Sequence, residues 1–120
     1  MDASRKCLEK CLEIDPAFNK ARFLLSGLYL EKNEPELAIK INNEIIKVDS
    51  LSDKAYINLG DIYIQLGDTA LAIKNWETAV YKNPGNINIC KLLNGYYVEN
   101  NNPEKARYYQ ILATKPKKNQ

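Results

Sequence analysis

Tyr29, Tyr63 and Tyr97 recur at intervals of 34 residues. Leu25, Leu59 and Leu93 recur at the same interval, four residues ahead of each tyrosine. Ala38, Ala72 and Ala106 mark a third repeating position, and Pro16 and Pro84 a fourth, with Ser50 in the middle copy. A period in this range is the signature of stacked supersecondary units, each too small to bury its apolar face alone. The expected object is a solenoid in which every unit touches only its neighbours.

Composition narrows the unit to helices. A chain of 120 residues with only five Gly and five Pro keeps most of them between periodic segments rather than inside them. The balance of 17 basic against 15 acidic side chains, net +2, lacks the basic stripe of an electrostatic nucleic-acid binder. Lys115, Lys117 and Lys118 form the one basic cluster and read as a solvated tail. No run approaches the roughly 20 apolar residues of a membrane span. Met1-Asp2-Ala3-Ser4 leads straight into a helical pattern without a signal peptide, so the expected location is cytoplasmic. Of the three cysteines, Cys7 and Cys11 sit four apart on one helix, a spacing that rarely satisfies disulfide geometry. They and Cys90 are expected to be small buried residues. With no histidine in the chain, neither a metal site nor a cofactor is expected.

The spacing predicts seven helices: 2–14, 17–31, 35–48, 53–66, 69–82, 87–99 and 103–114. Pro35 and Pro103 suit first helical positions, where the missing N–H costs little. Asp68 and Asn102 are expected N-caps. Gly67, Asn33 and Asn101 fit the left-handed residue that closes a helix. Asp15-Pro16 and Asn83-Pro84 should end the helices before them, because the residue before Pro avoids the helical region. Links this short force neighbouring helices antiparallel.

Tyr56-x-x-Leu59-Gly60-x-x-Tyr63, followed by Ala72-x-x-x-Trp76, Ala79 and Pro84, resembles the tetratricopeptide repeat. Gly60 and Ala72 are small where two helices of a pair cross, while Leu59, Tyr63 and Trp76 fill the remaining space. The first complete copy carries Arg22, Leu25, Ser26, Tyr29, Ala38, Asn42, Ile45 and Ser50 at these positions. The last carries Cys90, Leu93, Asn94, Tyr97, Ala106, Gln110 and Ala113, with Lys118 in the proline slot. Asn42 and Gln110 replace a core aromatic, so their helices are expected to be held less tightly. Ser4, Leu8, Cys11 and Pro16 form a leading half copy, a second helix without its first. The expected division is 1–18 (half repeat), 19–52, 53–86 and 87–120 with the basic tail. The resemblance implies an all-α, right-handed superhelix of antiparallel helix pairs. The pattern starting in mid-repeat reads as a piece of a longer array, or as an array that borrows its caps.

In this family the first helices of the pairs line a concave groove where ligands usually lie. Carried over by position, the groove candidates are Lys20, Phe23 and Leu24 in the first copy. Lys54, Ile57, Asn58, Asp61 and Gln65 follow in the second, and Asn88, Lys91 and Leu92 in the third. They are three or four residues apart and so share a helix face. One subtype of the family grips acidic chaperone tails with cations on successive helices. Only Asn58 fits that pattern, since Phe23, Gly27, Asn88 and Leu92 occupy the other places. The mixed apolar and polar face instead suits an amphipathic helix or extended peptide. Catalysis is not expected, because no imidazole is present to activate Cys7, Cys11 or Cys90. The expected function is therefore a protein-binding scaffold with an unidentified protein or peptide partner. The alternative is a self-assembling structural element, or an adaptor fragment of a longer array. Leu8 and Leu12 give the first helix a wide apolar stripe, one side of which is expected to stay open and drive self-association.

Overall fold

The computed structural model describes residues 2–114. Among them the chain forms seven α-helices: α1 (Asp2–Ile14), α2 (Asn19–Glu31), α3 (Pro35–Val48), α4 (Asp53–Gln65), α5 (Thr69–Lys82), α6 (Ile87–Glu99) and α7 (Pro103–Thr114). The basic cluster of Lys115, Lys117 and Lys118 lies outside the described residues.

The links within each pair are three copies of one turn. Asn33, Gly67 and Asn101 take φ of 62°, 84° and 56°. Their left-handed conformation folds the chain back so that the next amide reaches the repeating tyrosine. Glu34, Asp68 and Asn102 donate their backbone N–H to the carbonyls of Tyr29, Tyr63 and Tyr97 at 2.8, 2.9 and 2.9 Å. This is the Schellman closure, which satisfies carbonyls the helix end leaves open. Pro35 and Pro103 then open the next helix. The Asp68 and Asn102 side chains accept from Leu71 N–H at 3.1 Å and Lys105 N–H at 3.2 Å, as N-caps should.

Two boundaries differ from the sequence expectation. The second helix begins at Asn19 rather than Ala17. Asp15 holds the chain in a turn there, its side chain accepting from Ala17 N–H at 3.2 Å and its carbonyl from Phe18 N–H at 3.0 Å. The fourth helix ends at Gln65, with Leu66 as its C-cap, because the left-handed Gly67 closes it one residue early.

α2 pairs with α3, α4 with α5, and α6 with α7, while α1 packs on α2, α3 on α4 and α5 on α6. The result is an extended helical solenoid of 48 × 36 × 20 Å. Its core is a chain of linked clusters. Leu25, Tyr29, Ala38, Ile41 and Ile62 form one, with Leu8 and Leu12 of α1 against it. Trp76, Val80, Ile89, Leu93, Tyr97 and Tyr109 anchor the other, with Ile57 and Tyr63 against it. α4 contributes to both clusters, so it joins the two halves. The repeating leucines are almost completely buried, and each such burial is worth about 1.5–3 kcal/mol.

The small-residue position is solved differently in each copy. Gly60 lies directly under the Trp76 indole. In the preceding copy Ser26 faces Asn42, whose amide donates to Ser26 Oγ and to the Ala38 carbonyl, both at 2.8 Å. Asn42 is completely buried, and its amide ties α3 to Ser26 of α2. In the last copy Asn94 donates to the Ala106 carbonyl at 2.7 Å, and Gln110 stays exposed. Cys90 is buried as expected, whereas Cys11 is half-buried and Cys7 exposed.

Candidate peptide-binding groove

Residues of α2 and α4 meet in a shallow hollow of about 300 Å³, lined by Phe23, Ser26, Gly27, Leu30, Asn58, Asp61 and Gln65. Lys54 does not line the hollow but reaches one of its residues, its Nζ lying 4.6 Å from the centroid of the Phe23 ring. At that distance the ammonium interacts with the negative face of the ring. The hollow thus combines an apolar floor at Phe23 and Leu30, a carboxylate and two amides, with the Lys54 ammonium beside it on the Phe23 ring.

Two of the polar groups are tied to the scaffold. Asn58 donates to Asn42 Oδ1 at 3.3 Å, which extends the buried Ser26–Asn42 contact to the surface of α4. Asp61 accepts from the Trp76 indole N–H at 3.3 Å. Partial desolvation raises the Asp61 carboxyl above its ordinary value, and the indole hydrogen bond opposes that shift. Asn58 and Asp61 are therefore pre-positioned by core residues, with acceptor capacity left on each side chain.

The other groove candidates are spread out. Ile57 is half-buried and packs against the cluster of α5, α6 and α7. Leu24 is 54% exposed and lines a different cleft, between α1 and α2. Lys20 is exposed near the start of α2. Asn88, Lys91 and Leu92 are exposed on α6 and do not line the hollow.

The sequence reading missed a polar hub around Glu77. The hydroxyls of Tyr97 and Tyr109 both donate to its carboxylate, the second at 3.5 Å, and Lys105 lies 3.5 Å from it. The two rings stack with centroids 5.9 Å apart. Burial and the adjacent Glu77 charge push both phenols well above their ordinary value. Glu77 falls on none of the repeat-marking positions, so periodicity carried no signal for it. Among the described residues, no group of three His, Cys, Asp or Glu side chains could hold a metal ion, and no helix is long and apolar enough to cross a membrane.

Residues 53–86 match the family described as Tetratricopeptide repeat, and residues 1–18 match a second family of the same description. No curated protein matches the chain. Among solved structures it is similar to one described as the crystal structure of MamA, with a TM-score of 0.75 and 23% identity over 91% of this chain and 64% of that one. It is also similar to MamA 41-end from Desulfovibrio magneticus RS-1, with a TM-score of 0.69 and 18% identity over 91% of this chain and 62% of that one. The chain thus spans less than two thirds of the length of these structures, and at such identity the likeness establishes the fold. With a matching repeat at its centre and a match at its start, the chain carries tetratricopeptide repeats within a solenoid built of the same helix pairs.

Proposed function

We propose that the chain binds a segment of a partner protein on the face of α2 and α4, in the hollow lined by Phe23, Asn58, Asp61 and Gln65, with Lys54 beside it. The repeats and the solenoid support a protein-interaction scaffold in general, and the family is generally a non-enzymatic interaction module. The observation that carries the finer reading is the convergence of an apolar floor, a ring-bound lysine and two core-anchored polar groups at one hollow. Such a surface suits a short helix or extended segment with one apolar side chain on Phe23 and Leu30 and a hydrogen-bond donor near Asp61. Lys20, Leu24, Ile57, Asn88, Lys91 and Leu92 then belong to the periphery or to packing. We read the repeats as 19–52, 53–86 and 87–120 after a half repeat at 1–18, with the ligand across the first two.

Selection of peptides from a displayed library against the immobilised chain tests this. Binding of the selected peptides should fall with Lys54→Glu combined with Gln65→Ala and should persist with Lys74→Glu, an exposed residue of α5. Asn58 is left intact in this test because it supports Asn42. Equal binding by both variants would remove the assignment.

A further inference from the structure

Resting on the binding face proposed above, we infer that the hollow between α2 and α4 selects its partner segment by charge order. The segment places an acidic residue on Lys54 and a basic residue on Asp61, with an apolar residue between them.

The charge pattern of the helices points to this. A helix is stabilised by acids in its first turn and by cations in its last. α3 and α7 open with Glu36 and Glu104, and α3 and α5 close with Lys47 and Lys82. The first helices of the pairs run the other way. Lys20 and Lys54 are the second residues of α2 and α4, and Glu31 and Glu99 are the last residues of α2 and α6. Neither α2 nor α6 has an acid in its first turn, and none of α2, α4 and α6 has a cation in its last. Asp53, in the first turn of α4, is the exception, and it accepts from Asn83 at the C-cap of α5. Helix stability therefore does not account for the arrangement. Its effect is a face that is basic where α2 and α4 begin and acidic toward where they end. Lys54, Asn58 and Asp61 lie on one stripe of α4, as Lys20, Gly27 and Glu31 do on α2. Seven residues separate Lys54 from Asp61, about 10 Å along the helix axis.

Both charges are held before a ligand arrives. The Phe23 ring restrains Lys54, so less side-chain freedom is lost on pairing, and the ammonium keeps donors for a carboxylate. Trp76 holds Asp61 through one oxygen, and the other oxygen can accept from an ammonium or guanidinium. Phe23 and Leu30 supply the apolar floor. An extended segment rises about 3.3 Å per residue, so the two charges suit residues three or four apart. A purely acidic segment would meet Asp61, and a purely basic one would meet Lys54. The chain's own basic stretch is thus the weaker occupant, because residues 115–120 hold three lysines and no acid to place on Lys54.

Peptides selected from a displayed random library against the intact chain should be enriched in one acidic and one basic residue three or four positions apart. The leading peptide is labelled with fluorescein and followed by anisotropy in paired substitutions. Replacing its acid by the amide, or Lys54→Ala in the chain, should each weaken binding about fivefold, and the two together no more than either alone. Its basic residue, replaced by norleucine, should couple in the same way to Asp61→Asn, which keeps an acceptor for Trp76. The crossed pairs should be additive, since their members stand about 10 Å apart. Circular dichroism of each variant checks that helicity is retained. Selected peptides without the charge pair, or additivity within the matched pairs, would overturn the inference. Phe23→Ala distinguishes this from failure of the binding face itself. Peptides that it weakens, yet whose matched pairs are additive, leave the face standing and remove the charge order. Peptides indifferent to it remove both. Sedimentation of the chain alone tests the other occupant: a dimer that Lys54→Ala disperses would assign the hollow to a second copy and overturn the partner assignment.

Discussion

The Trp76 indole lies so close over Gly60 that a Cβ built there would come within 2.3 Å of its ring nitrogen. The ring has little freedom to retreat, being 7% exposed and bonded to Asp61. Gly60→Ala therefore sets a gain of about 1 kcal/mol in helix propensity against an overpacking cost of about 1–3 kcal/mol. A net loss of stability is expected in urea denaturation. Gly27→Ala and Gly95→Ala should do the reverse, because a Cβ at either position meets nothing within 4 Å. If Gly60→Ala stabilises as much as those two, the indole does not set the size of residue 60.

Ser26 with Asn42 and Gly60 with Trp76 are alternative fillings of one site, which makes them exchangeable only as pairs. Asn42→Trp alone would press an indole onto Ser26 and strip Asn58 of its acceptor. Ser26→Gly alone would remove the acceptor of a buried amide. The double variant imports the middle copy's arrangement and should be less damaged than the sum, with a coupling of about 0.5–3 kcal/mol. Additivity in a denaturant double-mutant cycle would show that the two positions are independent.

This exchange also marks what was legible in the sequence. Positions that serve local geometry repeat either unchanged or with a residue of the same backbone preference. Tyr29, Tyr63 and Tyr97 supply both a core ring and the carbonyl that closes the turn. Pro35, Gly67 and Asn101 punctuate the helices where their backbone preferences require. Helix order, pairing and nearly every boundary followed from them. The start of α2 did not, because the Asp15 turn bonds the amides of Ala17 and Phe18 and holds them outside the helix despite the helix preference of Ala17. Asn42 read as a defect because its worth depends on Ser26 and Asn58, each 16 residues away. The hub at Glu77 joins residues 20 and 32 apart. Of the groove candidates, Phe23, Asn58, Asp61 and Gln65 came together. Leu24, next to Phe23 in sequence, turned toward α1, since consecutive helix residues point about 100° apart.

Asp61 gives the fold a mild pH dependence with a definite sign. Desolvation, partly offset by the Trp76 hydrogen bond, raises its carboxyl above the ordinary 3.8. Between that value and its folded value the native state holds more protons than the unfolded chain. Stability therefore falls as pH rises through this window and levels off above it. Asp61→Asn should flatten this slope in urea melts across the acid range. Trp76→Phe removes the N–H that favours the carboxylate, so the Asp61 titration followed by NMR should move further upward. A downward movement would mean that the indole raises the carboxyl rather than lowering it.

Alkaline pH should unlock the C-terminal half first. The phenols of Tyr97 and Tyr109 are raised from 10.0 by burial and by Glu77, whose carboxylate accepts from both hydroxyls. In the unfolded chain each phenol ionises near 10, whereas in the folded hub it keeps its proton to higher pH. Above that point the folded state binds more protons than the unfolded state, so stability present below pH 10 is lost as pH rises. Tyr29 in the other cluster is also raised, by burial first and then by Glu9. Tyr97→Phe and Tyr109→Phe remove the titrating proton while keeping the stacked rings. Each should lower stability at neutral pH through the lost hydrogen bond to Glu77, by about 1–3 kcal/mol for a bond to a charged acceptor. The longer Tyr109 contact should give the smaller change. Both variants should also show a shallower decline than the parent from about pH 9 upward in urea denaturation. An alkaline slope unchanged in the double variant would mean that the Glu77 hub does not control it.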